Sequence, residues 1–319
     1  MCHQFNREAW AQFPELTNQP ALKKRVRQSW PSQPHWFAAL LFLPAFISAF
    51  VKAPHQTWRY GVCGWQRFGW GVFKHFYQDA ALIALKPNIL HFEFGSLAVG
   101  KTYLKEILET KLSVSFRGYD LNFAGIEDPN YYQGLWQAVD KYHVLSRHLR
   151  ERALARGCPS KIKYQRIPPA IDLSDFPMHK SISEGNLGTH EQPLKVISVG
   201  RLEWKKGYEH ALQAIKILKD SGIIVKYRII GGGDYQPALY FARHQLGLEE
   251  TVTFLGAMPH ENVIDQLIWA DVFLHPSLSE GFCNAVLEAQ AISLPVVCTD
   301  AGGLPENILD GVTGFVVPR

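Results

Sequence analysis

The stretch Ser279-Glu280-Gly281-Phe282-Cys283-Asn284-Ala285-Val286-Leu287-Glu288-Ala289 sets two carboxylates around a turn of small residues. The apolar run Asp271-Val272-Phe273-Leu274-His275-Pro276 before it reads as a buried strand. Ala285–Leu294 reads as a helix and Pro295–Cys298 as the next strand. A helix that starts just behind a strand presents unpaired backbone N–H groups and its positive dipole end above the sheet. Glu280 then stands in the loop before the helix and Glu288 about one turn inside it. An anion cradle flanked by carboxylates, which accept hydroxyls, suits a nucleotide-sugar. On spacing alone, an ordinary βα loop with two surface glutamates fits as well.

Upstream, Val196-Ile197-Ser198-Val199-Gly200-Arg201 ends a strand, and Leu202-Glu203-Trp204-Lys205-Lys206-Gly207 leads into an amphipathic helix. Moving a sugar off a nucleotide diphosphate requires the leaving diphosphate to be stabilised as it gains charge. A metal held by Asp-x-Asp is one solution, and the sequence has no such triplet. Fixed cations are the other: Arg201 forks onto two oxygens while Lys206 acts as a point charge. Taken alone, the same pair also suits a solvated turn.

The elements that must position these residues follow from the rest of the chain. With 47% hydrophobic and 19% charged residues over 319 positions, the chain is globular and long enough for two domains. Five scattered cysteines without a Cys-x-x-Cys or Cys/His cluster argue against a zinc site or disulfide framework and fit a reducing compartment. The opening Met1-Cys2-His3-Gln4-Phe5 has no signal-peptide pattern, so a cytoplasmic location is expected. Residues 1–180 carry 23 Lys/Arg against 13 Asp/Glu, and residues 181–319 carry 10 against 16. A basic first half favours an anionic partner such as a membrane surface or a lipid-phosphate acceptor. Nucleic acid is not expected, because no binding motif accompanies the charge. Lys and Arg decorating helix surfaces would give the same count.

Residues 1–35 hold Lys23-Lys24-Arg25-Val26-Arg27 and no clear period. Trp36–Val51 is an apolar run broken by Ser48 and containing Pro44; as a helix it measures about 24 Å, short of the ~30 Å of a bilayer core. It fits a core helix pair kinked at Pro44, an interfacial helix or a transmembrane span. In the aromatic-rich region that follows, Trp65, Phe68, Val72 and Phe76 lie at helical spacing, which points to core packing. From Lys86 strands and helices alternate: strands at 88–94, 112–116, 143–145 and 162–167, helices at 97–108, 131–139 and 147–156. Such alternation implies a doubly wound parallel sheet.

The second block resembles the nucleotide-binding half of the retaining, family-4 (group 1) glycosyltransferases of GT-B fold. Gly200-Arg201 with Lys206-Gly207, Ile229-Ile230-Gly231-Gly232-Gly233, Phe254-Leu255-Gly256 and the Glu280/Glu288 pair carry the likeness. Gly302-Gly303-Leu304-Pro305-Glu306 and Gly311-Val312-Thr313-Gly314 complete it. The first block is similar to the other half through Ile89-Leu90-His91-Phe92-Glu93-Phe94-Gly95, Ser115-Phe116-Arg117-Gly118-Tyr119-Asp120 and Ile167-Pro168-Pro169-Ala170-Ile171-Asp172, with Glu93 and Arg117 replacing the family's usual histidines.

The resemblance implies two Rossmann-like domains facing a cleft, residues 1–180 on the acceptor side (1–85 divergent, helical and aromatic-rich) and 193–319 binding the nucleotide-sugar. It implies Arg201 and Lys206 on the diphosphate and Glu288 on the ribose. Glu280 would face the donor sugar beside the backbone of Phe282, Cys283 and Asn284. Gly200, Gly232 and Leu255 lie on loops that would approach the nucleotide, and no metal is implied. Transfer with retention, to a saccharide or lipid-linked acceptor at the membrane inner face, is what the resemblance implies. Arg117 cannot serve as a base at neutral pH; it would bind the sugar, or pair with Asp120 or Glu93 to hold its loop.

Two parts of the family's pattern have no counterpart here: an opening strand, glycine-rich turn and helix before residue 88, and the helices that follow the last motif. The first domain is therefore expected to be incomplete, with Trp36–Tyr77 in place of the absent strands. The competing function is a catalytically silent module that binds nucleotide-sugar.

Overall fold

The computed structural model describes residues 35–177 and 187–319, with side chains from residue 40 onward. The basic stretch Lys23–Arg27 lies outside the described residues. Strands fall into two sheets, one of four in the order β1-β2-β3-β4 and one of six in the order β10-β9-β8-β5-β6-β7. The described chain divides into two compact units, one of residues 35–92, 97–113 and 137–140 and another of 93–96, 114–136, 141–177 and 187–319.

In the first unit, helices α1 (His35–Lys52), α2 (Pro54–Phe68) and α3 (Val72–Leu85) precede β1 (Ile89–Phe92). Pro44 sits inside α1, so this segment is one continuous helix and not a pair. Among the described residues, no helix is long and apolar enough to cross a membrane. Phe42 packs its ring edge on Phe73 and Phe76, and Ala49, Ala53, Tyr60, Phe76 and Ile83 are buried. Asp79, fully buried, accepts hydrogen bonds from Tyr60 (2.8 Å), Tyr103 (2.5 Å) and Lys101 (2.9 Å). Such convergence is what a buried carboxylate requires. The helical spacing that includes Trp65 does not survive: Gly69, at φ +51, ends α2, a 3-10 turn intervenes, and Trp65 is left 48% exposed. Among the described residues no strand precedes β1, whose Ile89 is 65% exposed at the end of the sheet order.

The expected helix over 97–108 is interrupted at Gly100 (φ +78), leaving α4 (Gly95–Ala98) and α5 (Tyr103–Leu108). Next come β2 (Lys111–Phe116), α6 (Gly118–Asn122), α7 (Gln133–Ala138), β3 (Lys141–Val144), α8 (Arg147–Ala155) and β4 (Lys163–Arg166). In the second unit Phe116 is fully buried against Tyr132, Trp136 and Tyr142.

The six-stranded sheet is built from β5 (Leu194–Val199), α9 (Tyr208–Asp220), β6 (Val225–Ile230), α10 (Gln236–Gln245) and β7 (Val252–Gly256). It continues through α11 (His260–Trp269), β8 (Val272–His275), α12 (Asn284–Ala291), β9 (Val296–Thr299) and β10 (Gly314–Val317). Its strands pair in parallel throughout. Neighbouring residues along a strand face opposite ways, so Val196 and Ile229 pack with α9 and α10 while Ile197 and Ile230 pack with α11 and α12. Apolar burial on both faces explains the near-continuous apolar strands.

Candidate functional site

Glu280 follows β8 in the loop that leads into α12, where a strand end brings buried groups to the turn. Its Oε1 accepts from Lys206 Nζ, His275 Nε2 (3.0 Å) and Ser277 Oγ (3.1 Å). The Glu280, Lys206 and His275 side chains are only 12%, 13% and 2% exposed. Burial alone would raise the Glu280 pKa, but the hydrogen bond from His275 and the charge of Lys206 pull harder and hold it at about 2. Burial alone would lower that of His275; Cys283, whose Sγ lies 3.4 Å from Nε2, and Glu280 raise it to about 9. His275, Glu280 and Cys283 also bring nitrogen, oxygen and sulfur atoms within 4.8 Å, but the carboxylate oxygen in that set already carries the Lys206 ammonium.

Lys206 reaches this carboxylate because the chain turns sharply behind β5. Gly207 takes φ +66, and a Cβ there would stand 2.0 Å from the Pro276 carbonyl oxygen. Gly200 follows β5, with the Lys206 Nζ 3.9 Å from where its Cβ would be. Gly231, at φ +140, brings β6 so close that a Cβ would meet the Gly200 oxygen at 1.9 Å. Gly232 accepts from Leu202 N at 2.9 Å, and Leu255 is half-buried at the end of β7. Gly207 and Gly231 are thus spacers that let the chain ends behind β5, β6 and β8 approach one another.

Of the remaining expected site residues, Arg201 is not drawn into the network: it is 70% exposed and pairs with Glu203 (2.6 Å), which also holds Lys205 (2.8 Å). Glu288, on α12, is 17% exposed and lies 3.4 Å from His260 at the head of α11. Of the backbone donors at the start of α12, that of Cys283 is engaged by Asn307 Oδ1 at 3.4 Å; Phe282 is half-buried and Asn284 exposed.

Arg117 pairs with Glu93 (3.1 Å) and lies over the Phe94 ring. Its backbone N–H, and that of Ser96, donate to the fully buried Asp120 at 2.9 Å each, which fastens the loops behind β1 and β2 to one another. The loop-holding alternative is thus what the structure displays, with Glu93 on the side chain and Asp120 on the backbone. Gly118 packs on Gly281: a Cβ on Gly118 would meet the Gly281 nitrogen at 3.0 Å.

Sequence reading missed His275, Ser277, Asn307 and Glu306 as parts of the site. Glu306 accepts from the backbone N–H groups of Arg147 and His148 at 2.9 Å, capping α8, and Arg166 joins it at 3.3 Å. Gly303 lets this turn approach; a Cβ there would stand 2.1 Å from the Gly281 oxygen. A histidine closing an otherwise apolar strand, just before Glu280, was the available signal for His275.

Residues 180–319 match the family described as Glycosyl transferases group 1. The chain is 32% identical over 240 residues to the amylovoran biosynthesis glycosyltransferase AmsK of Erwinia amylovora, covering 72% of this chain and 57% of that protein. It is 33% identical over 238 residues to the putative colanic acid biosynthesis glycosyltransferase WcaL of Salmonella typhimurium, covering 71% and 56%. The chain therefore spans somewhat more than half the length of these relatives. Among solved structures, Anabaena HepE in complex with UDP and glucose aligns with TM-score 0.65 at 18% identity, over 78% of this chain and 69% of that one. The apo form of the lipopolysaccharide outer core galactosyltransferase WaaB aligns with TM-score 0.59 at 16% identity, over 77% and 66%. The fold is that of the GT-B glycosyltransferases, with the first sheet region the smaller.

Proposed function

We propose that this chain, whose residues 180–319 belong to the group 1 glycosyl transferases, moves a sugar with retention from a nucleotide-diphosphate sugar to a saccharide or lipid-linked acceptor. The observation that carries this reading is the buried Lys206–Glu280 pair beside the first turn of α12, a cation and a carboxylate held ready where a strand meets a helix. Lys206, with Arg201 swung from Glu203, neutralises the leaving diphosphate, so the chemistry asks for no metal. Glu280 faces the donor sugar and Glu288 accepts from the ribose hydroxyls. The backbone at Gly232 and Leu255 borders the nucleoside. The proteins similar to this chain include polysaccharide-assembly glycosyltransferases and a structure holding UDP and glucose, which supports both the donor class and a saccharide acceptor.

Arg117 stays cationic and binds; it is not a base. A second reading, a module that binds nucleotide-sugar without turnover, draws on the closed Arg117–Glu93 pair, since neither group is free as it stands. Incubating the protein with a panel of nucleotide-sugars and of saccharide and lipid-linked acceptors, and following nucleoside diphosphate release with the sugar passing to an acceptor or to water, in the presence and absence of chelator, separates the readings. Release unaffected by chelator supports metal-independent transfer, whereas binding without release supports the silent module.

The first unit adds a place of work. Leu40, Leu43, Ile47, Phe50, Trp58, Val62, Trp65 and Trp70 stand exposed on α1, α2 and the turn behind it, alongside the exposed Lys52 and Arg67. Apolar side chains with adjacent basic ones give interfacial affinity for anionic lipid. Co-sedimentation with vesicles should rise with anionic lipid content; indifference to lipid charge refutes it.

A further inference from the structure

We propose that His275 is a positioning residue that carries the countercharge of Glu280 when Lys206 leaves it for the donor diphosphate. The inference rests on the reading of Lys206 as a diphosphate ligand. Its ground is an asymmetry between the two cations that share Glu280 Oε1. Lys206 ends a short 3-10 turn, and its long side chain makes its hydrogen bond to that carboxylate. His275 is the last residue of β8, 2% exposed, with its ring stacked parallel to Phe273 at 6.0 Å. One cation is on a flexible stem at the end of a turn; the other is built into the sheet.

A diphosphate competes with Glu280 for the Lys206 ammonium. If Lys206 were the carboxylate's sole counterion, binding would strand a buried charge, which a protein avoids by taking up a proton. His275 removes that cost: it remains 3.0 Å from Oε1, while Ser277 Oγ keeps its 3.1 Å bond to the same oxygen. All three bonds to the carboxylate fall on Oε1, so His275 and Ser277 fix it by one oxygen and leave the other to accept from a ligand hydroxyl. The groups facing the imidazole are Glu280, Lys206, Cys283 and Ser277, and Tyr208 from α9 feels both Glu280 and Cys283. Of these only Lys206 opposes a charged ring, and its departure makes the imidazolium more favourable.

The test is calorimetry of the whole chain with uridine and guanosine diphosphates, run in buffers of different ionisation enthalpy to count protons. His275→Gln should bind diphosphate about tenfold more weakly than the wild type and take up close to one more proton (about 0.5 to 1) on binding, as Glu280 neutralises. Glu280→Gln added to His275→Gln should remove that extra proton. Equal proton counts with affinities within about twofold would overturn the inference, because a purely structural histidine has no reason to alter proton uptake. If neither protein binds diphosphate, the donor-site reading fails, and the free protein decides the part played by His275. There the Glu280 carboxyl, followed by carbon-13 resonance, should titrate about one pH unit higher in His275→Gln, and an unmoved midpoint refutes the positioning role. Should that variant misfold, nitrogen-15 shifts of His275 in the wild type at neutral pH settle the matter: a doubly protonated ring supports it and a neutral one overturns it.

Discussion

Replacing Lys206 by methionine keeps most of the side-chain volume and removes the charge, so it isolates what the ammonium does for Glu280. The Glu280 carboxyl is held at about 2 against an ordinary 4.5, which by linkage amounts to about 3 kcal/mol at neutral pH. That stabilisation comes jointly from His275 and Lys206 working against the cost of burial. With His275 and Ser277 left in place, Lys206→Met should forfeit about half, or ~1.5 kcal/mol, less than the 3–5 kcal/mol typical of a buried charge left with no partner. The sign follows from a depressed carboxyl pKa. The contribution is complete above pH 4.5 and fades as pH falls toward about 2, so the variant should differ from wild type most at neutrality and least near pH 2. Urea unfolding at pH 7 and pH 2 measures both differences. A loss that is the same at the two pH values would refute the reasoning, since it would assign the effect to packing and not to charge.

Gly303→Ala should destabilise by about 2–4 kcal/mol, because the new Cβ would fall 2.1 Å from the Gly281 oxygen and 2.7 Å from Ser146 Oγ; thermal denaturation checks it. Asp120→Ala should cost about 1–3 kcal/mol by stranding the N–H groups of Ser96 and Arg117, with faster hydrogen exchange at both amides as the readout. Arg117→Ala, breaking a pair in which both partners are exposed, should change stability by less than ~1 kcal/mol while impairing any sugar transfer. Unfolding and turnover measured on one preparation separate the two effects. Glu288→Ala should weaken nucleotide affinity by about 1–3 kcal/mol in calorimetry, and wild-type affinity would remove its ribose role.

The nucleotide-binding sheet was legible because its strands are buried on both faces and read as apolar runs, each followed by a helix. The glycines at 200, 207 and 231 were legible as a motif, but the reason for the last two, backbone carbonyl oxygens that a Cβ would bring to 2.0 and 1.9 Å, required coordinates. Side-chain destinations were harder. Spacing set Arg201 and Lys206 together, yet Glu203 lies two residues from Arg201 and captures it locally, while Lys206 crosses to another loop. His275 was hidden as a residue of an apolar strand, since no pattern shows that the turn folds Glu280 and Cys283 back onto its ring. In the first unit Trp65 shared a helical spacing with Phe68, Val72 and Phe76, but Gly69 ends α2 within that run, and α2 buries the face of Thr57, Tyr60 and Gly64 instead. Local backbone geometry outranked hydrophobic spacing there.

The most direct test of the account compares the affinities of a nucleoside diphosphate and the matching monophosphate for the wild type and for Lys206→Met. If Lys206 takes the diphosphate, the wild type should favour the diphosphate by about tenfold and the variant should lose most of that preference. Equal preference in both proteins, or none in the wild type, would contradict the assignment of this site as the donor-binding centre.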